Sequence, residues 1–249
     1  VMFELDLTPN RGDCLSHLGV ARELGIVTRQ DVIRREYDII ENDEQIANAV
    51  SVNIDVPDAC PRYAARVIKS VKVGPSPQWL QERLQSIGLG SINNVVDAAN
   101  YVLMDSGHPM HTFDLEKING NTINVRFAKK GEKFRSLDEI ERKLDDFHLL
   151  ICDDEKPVAL AGIMGGVNSE ITESTTDILL ESAYFDPIVV RKGAKALDLS
   201  TEASRRFERD TDIEGVIPAI DQLAQLICEL SGGMALKGIV DEYPQKHDP

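Results

Sequence analysis

Cysteines and long apolar runs, which mark secreted and membrane proteins, are scarce in this chain. Its 249 residues include four cysteines, which lie far apart and form neither a Cys-x-x-Cys pair nor a disulfide-like framework. No apolar run is long enough to cross a bilayer, and no signal peptide opens the sequence. These absences predict free thiols in a reducing compartment and a cytoplasmic protein without a membrane partner.

Positive charge is scarce as well. Lysine and arginine number 27 against 42 aspartates and glutamates, so the formal net charge is −15 at pH 7. A protein that binds nucleic acid by itself is normally basic, and this balance counts against such a role. The histidines and cysteines show no spacing typical of zinc ligands, and no Gly-x-x-x-x-Gly-Lys phosphate loop occurs. We therefore expect neither a metal nor another cofactor in this chain.

Apolar residues are frequent enough for a folded core. They make up 42% of the chain, which is sufficient for one large or two small domains. Strand and helix patterns follow one another without a regular βαβ alternation, so we predict an α+β fold of mixed sheets with flanking helices. The predicted helices cover about 13–26, 76–87, 93–105 and 214–230, and the predicted strands cover about 2–7, 52–56, 62–73, 122–127, 147–152, 157–160 and 177–185.

The segment 93–114 is the part of the chain with the densest chemistry, because it combines amides, carboxylates and two histidines around a proline. Its first part has the apolar spacing of a helix, and Pro109 favours an extended continuation. Backbone geometry would fix the position of His111 after such a turn. A lone histidine is more often structural, so His111 becomes a candidate site residue only if other segments support it.

Three later segments add candidates. Glycines in 162–166 follow a predicted strand and allow close approach of other groups. Glu181 interrupts an apolar run, and in a strand it would share a face with Leu179 and Ala183, where a carboxylate needs a partner. Ser200 or Thr201 could cap a helix, and the first turn of such a helix can bind an anion. Each feature also has a plain structural explanation: a tight turn, an ion pair at an edge, or a solvated helix face.

Taken in order, these motifs resemble the β subunit of bacterial phenylalanyl-tRNA synthetase over essentially the whole chain. Six separated motifs in one order make coincidence improbable, although each alone would be weak. The matching segments are 8–16 (TPNRGDCLS), 93–97 (NNVVD) with 100–102 (NYV), 109–111 (PMH) with 113–114 (FD), 162–166 (GIMGG), 180–181 (LE), and 201–204 (TEAS) with 206–209 (RFER).

The resemblance implies a domain organisation and a function. Residues 49–249 would form an editing (tRNA-binding) domain that hydrolyses phenylalanine tRNA mischarged with tyrosine. Residues 1–30 would be the closing half of a small N-terminal domain, and the charged residues 31–48 a linker. The implied partners are the terminal adenosine of the tRNA specific for phenylalanine and the α subunit of a heterotetramer. ATP and magnesium would be used elsewhere in the whole enzyme, so the fragment itself would not be a ligase.

The resemblance also implies how tyrosine would be selected. Glu181 would accept a hydrogen bond from the phenolic hydroxyl, helped by the backbone around Gly165, and phenylalanine offers that carboxylate nothing. Ala203 would keep the pocket wide, and Thr201 would line it. A second site that prefers the hydroxyl is a sound solution, because an apolar pocket for phenylalanine rejects tyrosine only modestly.

The hydrolytic residues are implied in the same way. His111, with Pro109 shaping its loop and Asn100 nearby, would lie beside the ester and the terminal ribose, where it would position a water rather than act as a general base. The chain departs from the family pattern at Ala99, where many members have threonine, and at 90–91, where many have arginine. A non-catalytic tRNA-positioning or docking module is therefore the first alternative. A free-standing deacylase is the second, and an unpaired half-domain argues against it.

Overall fold

The computed structural model of the protein describes residues 3–33 and 36–246. Within them no helix is long and apolar enough to span a membrane. The helices are α1 (His17–Thr28), α2 (Gln78–Ser86), α3 (Asn94–Ser106), α4 (Pro187–Ala196), α5 (Glu202–Phe207) and α6 (Val216–Ser231). The strands are β1 (Glu41–Gln45), β2 (Ser51–Ile54), β3 (Arg62–Lys69), β4 (Met110–Asp114), β5 (Thr122–Phe127), β6 (Lys133–Arg135), β7 (Glu141–Lys143), β8 (Leu149–Cys152), β9 (Pro157–Leu160), β10 (Met164–Gly165), β11 (Ile178–Tyr184), β12 (Met234–Lys237) and β13 (Val240–Glu242).

These strands form two large mixed sheets and one hairpin. The first sheet has the order β1-β12-β3-β11-β4, and β13 also pairs with β3. Its pairs are antiparallel except for β1 and β12. The second sheet has the order β10-β9-β8-β5-β2, with β2 and β5 parallel, while β6 and β7 pair only with each other. The predicted α+β class with mixed sheets is therefore confirmed.

The first sheet is the middle layer of the protein, and β11 shows this most clearly. Leu179 and Ala183 pack in an apolar cluster shared with the second sheet. Ile178 and Leu180 pack in another cluster, which contains residues of α3 and α6. Since successive side chains of a strand point to opposite faces, Glu181 lies on the side of the second sheet. The sequence-based prediction of its face is confirmed.

Local signals fix the two helices that matter most for the site. Asn93 caps α3 by accepting hydrogen bonds from the backbone N–H groups of Val95 and Val96, and Gly107 ends that helix with a φ of 83°. Thr201 caps α5 in a reciprocal capping box with Ser204. The turn into β4 and the start of α5 are therefore set by short stretches of sequence.

Two predictions about secondary structure at the start of the chain are wrong. Residues 3–7 form no strand, and Met2 lies outside the described residues. The first helix was expected to begin near Asp13 but begins at His17. The reason is that the Ser16 side chain accepts a hydrogen bond from the N–H of Gly19 and acts as the cap.

The strand predicted over 62–73 is also shorter than expected. It ends at Lys69 because Ser70 adopts a left-handed φ of 59°, which breaks the extended backbone. The carboxylate of Asp177 accepts a hydrogen bond from the Ser70 N–H and so supports this turn. Composition alone gives no signal for a serine in that conformation.

The range 31–48, predicted as a linker, ends in regular structure. It contains β1 at the edge of the first sheet and a 3₁₀ turn, Ile46–Asn48. Two of the charged residues that suggested a linker form ion pairs from this edge strand: Glu41 pairs with Arg66, and Glu44 pairs with Lys69. The domain boundaries at residues 30 and 49, and the half-domain itself, stay predictions.

Candidate active site

A small, mainly apolar cavity lies between the first sheet, the second sheet and α5. Its volume is about 60 Å³, enough for about four water-sized groups. It is lined by Pro109, Met110, His111, Ile151, Ala159, Leu160, Gly162, Ile163, Met164, Gly165, Glu181, Ala203 and Phe207. A larger cavity of about 270 Å³ lies between α1, α2 and α3. None of the site residues predicted from the sequence is among its lining residues in the described structure. The smaller cavity is therefore the candidate site.

Glu181 supplies the acidic group of this cavity. It lies in the middle of β11, directly opposite His111 of β4 on one side and Ala65 of β3 on the other. Its side chain is buried, and its Oε2 accepts a hydrogen bond of 2.8 Å from the hydroxyl of Tyr63. Burial raises the pKa of Glu181 to about 8, although the Tyr63 hydrogen bond opposes part of that rise. The group can therefore exchange a proton near neutral pH.

His111 supplies the basic group, and it is held against a glycine. A Cβ at Gly165 would lie 2.5 Å from Cε1 and 2.7 Å from Nε2 of the His111 ring, so only glycine leaves room for the imidazole. The His111 ring also packs edge-to-face against Phe113, and the two ring centroids are 4.5 Å apart. Within the described chain, neither ring nitrogen of His111 has a hydrogen-bond partner. Burial lowers its pKa to about 4, so the ring is neutral at pH 7.

The start of α5 closes the cavity. Thr201 Oγ1 donates a hydrogen bond of 2.9 Å to the carbonyl of Ile163, which ties the helix cap to the glycine-containing segment. Two residues further, Ala203 lines the cavity with a methyl group. Thr201 itself is not among the lining residues in the described part of the chain. Thr201 therefore stabilises the wall of the cavity without lining it.

The structure brings together five of the seven residues predicted for the site. They are Pro109, His111, Gly165, Glu181 and Ala203. The two others, Thr201 and Asn100, are absent from the described lining of the cavity, although Thr201 is next to it.

Asn100 lies on α3, on the far side of the first sheet from the second sheet. It is half-buried there. Ala99 is buried in the cluster shared with α6. Neither position reaches the lining of the cavity in the described structure. The alanine at 99 therefore leaves the cavity wall unchanged.

Most of the polar residues around the start of α3 have structural roles. Asn94 Nδ2 donates to the carbonyls of Lys72 and Leu230, and its Oδ1 accepts from the N–H of Gly74. Asp97 is fully buried and accepts hydrogen bonds from two serine hydroxyls and one backbone N–H. The chemical density that drew attention to this segment thus belongs mainly to packing.

Tyr63 contacts the site, but the sequence did not single it out. It was placed only in a predicted strand, and it is fully buried. Its partner Glu181 is 118 positions away in the chain. A period-2 pattern predicts the face of a strand but not the register with a distant strand. No signal in one sequence would have paired these two residues.

One group among the described residues has the donor atoms for a metal: Asp13, Cys14 and Glu23 near the start of α1. Arg11 Nη2 lies 2.8 Å from a carboxylate oxygen of Asp13 and 2.9 Å from one of Glu23. The guanidinium is already paired with both carboxylates, and the group is remote from the cavity.

The match to a protein family covers this site. The model of the B3/4 domain family matches residues 59–232, a range that includes every residue of the cavity lining. The chain therefore belongs to the B3/4 domain family.

Longer proteins resemble the chain over nearly its full length. It is 53% identical over 244 residues to the phenylalanine–tRNA ligase β subunit of Syntrophus aciditrophicus (strain SB), covering 98% of this chain and 30% of that protein. It is 49% identical over 245 residues to the phenylalanine–tRNA ligase β subunit of Syntrophotalea carbinolica, again covering 98% of this chain and 30% of the relative. The chain thus spans about 30% of the length of these relatives. The resemblance predicted from the motifs is confirmed.

A solved structure supports the fold. An N-terminal fragment of the phenylalanyl-tRNA synthetase β subunit from Pyrococcus horikoshii superposes with a TM-score of 0.53 over 94% of this chain and 64% of that one. The sequences are 14% identical, so this likeness concerns the fold alone.

Proposed function

We propose that this domain is an editing site, which hydrolyses the ester between tyrosine and the tRNA specific for phenylalanine within a phenylalanine–tRNA ligase. One observation carries the proposal. A buried carboxyl group, Glu181, and a histidine without a hydrogen-bond partner in the described chain, His111, face each other across two paired strands and line the same small cavity. Buried polar groups with unused hydrogen-bonding atoms in a cavity are typical of a functional site.

Selection of tyrosine follows from the carboxyl group. Apart from Glu181 and His111 the lining residues are apolar or glycine, which suits an aromatic ring, so the para position of that ring would decide the outcome. A tyrosyl hydroxyl satisfies Glu181, whereas a phenylalanyl ring leaves a buried oxygen without a partner. Sites built to bond a hydroxyl reject the analogue that lacks it far more strongly than apolar pockets reject an extra atom. This asymmetry is what an editing site needs.

Hydrolysis requires a water molecule placed against the ester carbonyl. The water oxygen bonds to the carbonyl carbon, and the bond from that carbon to the ribose oxygen breaks. One proton of the water ends on the ribose oxygen, and the other is lost from the acid that is released. Neutral His111 can accept a hydrogen bond from this water and orient it. With a pKa of about 4 it is a weak base, so orientation is its main contribution.

The partners belong to the same proposal. With a net charge of −15, this chain would hold only the terminal adenosine, while other parts of the complete enzyme hold the remaining tRNA. An α subunit would complete a heterotetramer, and ATP and magnesium would act at a separate synthetic site. No metal or other cofactor would be needed at the cavity, and the enzyme would be cytoplasmic.

The test is deacylation of phenylalanine tRNA carrying tyrosine or phenylalanine, measured with the complete synthetase. Glu181→Ala should lower the preference for the tyrosyl ester by about tenfold or more, because a phenylalanyl ring then no longer leaves a buried carboxyl oxygen unpaired, a loss of about 1–3 kcal/mol. Glu173→Ala, at an exposed position, is the matched control and should change nothing. A wild-type enzyme that leaves the tyrosyl ester intact would support the non-catalytic docking module instead.

A further inference from the structure

Tyr63 lies directly behind the carboxyl group of the cavity. It is fully buried on β3 and does not belong to the described lining, so no substrate touches it. In the sheet register Tyr63 is opposite Ala183, and Ala65 is opposite Glu181. Tyr63 is therefore a diagonal neighbour of Glu181 on the same face, and long side chains at that separation reach each other.

The direction of the hydrogen bond between the two side chains is fixed. Burial, together with the neighbouring carboxylate, raises the pKa of Tyr63 well above its usual value, so the phenol keeps its proton and donates it. Its acceptor is Oε2 of Glu181, at 2.8 Å. The second oxygen, Oε1, has no partner within residues 3–33 and 36–246.

The other groups around Glu181 do not hold it in this orientation. His111 makes no hydrogen bond within the described chain, and the buried Cys60 thiol donates to the carbonyl of Arg62 instead. The described residues include no cation paired with Glu181. The Tyr63 hydroxyl is thus the group that fixes which carboxyl oxygen turns toward the cavity.

We propose that Tyr63 is a positioning residue for substrate selection: it holds Oε2 of Glu181 so that Oε1 is presented to the hydroxyl of the tyrosyl ester. This inference rests on the editing function proposed above. A fixed carboxyl group also penalises phenylalanine, because it cannot rotate to relieve the unpaired oxygen that a phenylalanyl ring leaves. Selection therefore depends on the orientation of Glu181 as well as on its presence.

The experiment uses the complete synthetase with Tyr63→Phe, which removes the hydroxyl and keeps the ring. We expect kcat/KM for the tyrosyl ester to fall about tenfold while that for the phenylalanyl ester stays within about twofold. The matched control is Tyr184→Phe, which deletes another hydroxyl bonded to a carboxylate, that of Asp210, on the opposite face of β11. The control should leave both rates unchanged.

A second comparison covers the case in which Tyr63→Phe alone does not fold. Glu181→Ala is compared with the double variant Tyr63→Phe/Glu181→Ala, in which both polar partners are absent and neither is left unpaired. Without a carboxyl group to orient, the added Tyr63→Phe should not alter the ratio of the two rates.

Each outcome separates this inference from the function on which it rests. If the wild-type enzyme shows no tyrosyl preference, the editing proposal fails and this inference with it. If the wild-type enzyme prefers the tyrosyl ester but Tyr63→Phe keeps the full preference, only the role of Tyr63 is overturned. Equal loss for both esters, or a changed ratio in the double variant relative to Glu181→Ala, would likewise overturn it by indicating a merely structural role.

Discussion

Two buried polar regions of this protein differ in how completely their groups are paired. One surrounds the start of α3, where Asp97 accepts from the hydroxyls of Ser76 and Ser91 and from the N–H of Ile92. The other is the cavity, where Glu181 has one hydrogen bond and His111 has none within the described chain. The two regions are equally polar in sequence, but only the second retains unused donors and acceptors.

The difference shows which polar residues mark a site. Burying a polar group costs free energy unless it is paired, so a complete network such as that of Asp97 is explained by folding alone. Unpaired groups that open onto a cavity can bind water or a ligand there, so they mark a candidate site. Local density of amides and carboxylates is a poor guide by comparison, since most of those in 93–97 are used by the fold.

The largest effect is expected from breaking the paired region. Asp97→Ala would leave two hydroxyls and one backbone N–H without their acceptor, and each such loss costs about 1–3 kcal/mol. We expect the free energy of unfolding to fall by about 3 kcal/mol or more, measured by urea denaturation. The exposed Asp58→Ala is the control and should lie within about 0.5 kcal/mol of wild type. A small loss for Asp97→Ala would mean that the network is not structural.

Filling the unpaired region should instead abolish activity. Ala203→Trp places an indole where the cavity now lies, so hydrolysis of the tyrosyl ester by the complete synthetase should fall by about a hundredfold or more. Charging with phenylalanine should continue, since it is proposed to occur elsewhere. Ala196→Trp, at an exposed position near the end of α4, is the matched control. Hydrolysis that survives Ala203→Trp would place the reaction outside this cavity.

The sequence predicted the local structure around the cavity better than the contacts between its distant segments. The face of Glu181 followed from strand alternation, and the cap of α5 at Thr201 followed from its side chain. Both depend on residues within a few positions of each other. Local patterns therefore predicted the face of Glu181 and a cap near Thr201, whereas Gly165 and Ala203 were assigned to the site by resemblance.

Contacts between distant segments could not be predicted in this way. The pairing of Tyr63 with Glu181 depends on the register of β3 against β11, and the burial of Asp97 depends on loops that fold over it. Asn100 was assigned to the site by resemblance alone. It lies on α3, outside the described lining of the cavity, and its catalytic role stays a prediction. The roles of such residues can be interpreted only from the three-dimensional structure.

A third variant sharpens the comparison at the histidine. Gly165→Ala would put a methyl group 2.5 Å from Cε1 of His111, so the ring must move. We expect hydrolysis of both esters to fall by about tenfold, because water orientation serves both substrates. Gly90→Ala is the control, since a Cβ there meets nothing within 4 Å. Loss confined to the tyrosyl ester would contradict the role given to His111.

The smallest effect concerns pH, and its sign distinguishes the two ionisable groups of the cavity. Because the folded pKa of Glu181 is about 8, above its usual 4.5, the folded state binds this proton more tightly. That contribution to stability is complete below pH 4.5 and is lost as pH rises through 8. His111, with a pKa lowered from 6.5 to about 4, acts in the opposite direction, and its contribution is lost as pH falls from 6.5 to 4. Subtracting the stability of Glu181→Gln from that of wild type isolates the first group, and between pH 6.5 and 7.5 this difference should fall by about 1 kcal/mol. Urea denaturation at both pH values measures it, and a difference that rises with pH would show that Glu181 is ionised and stabilised in the folded protein.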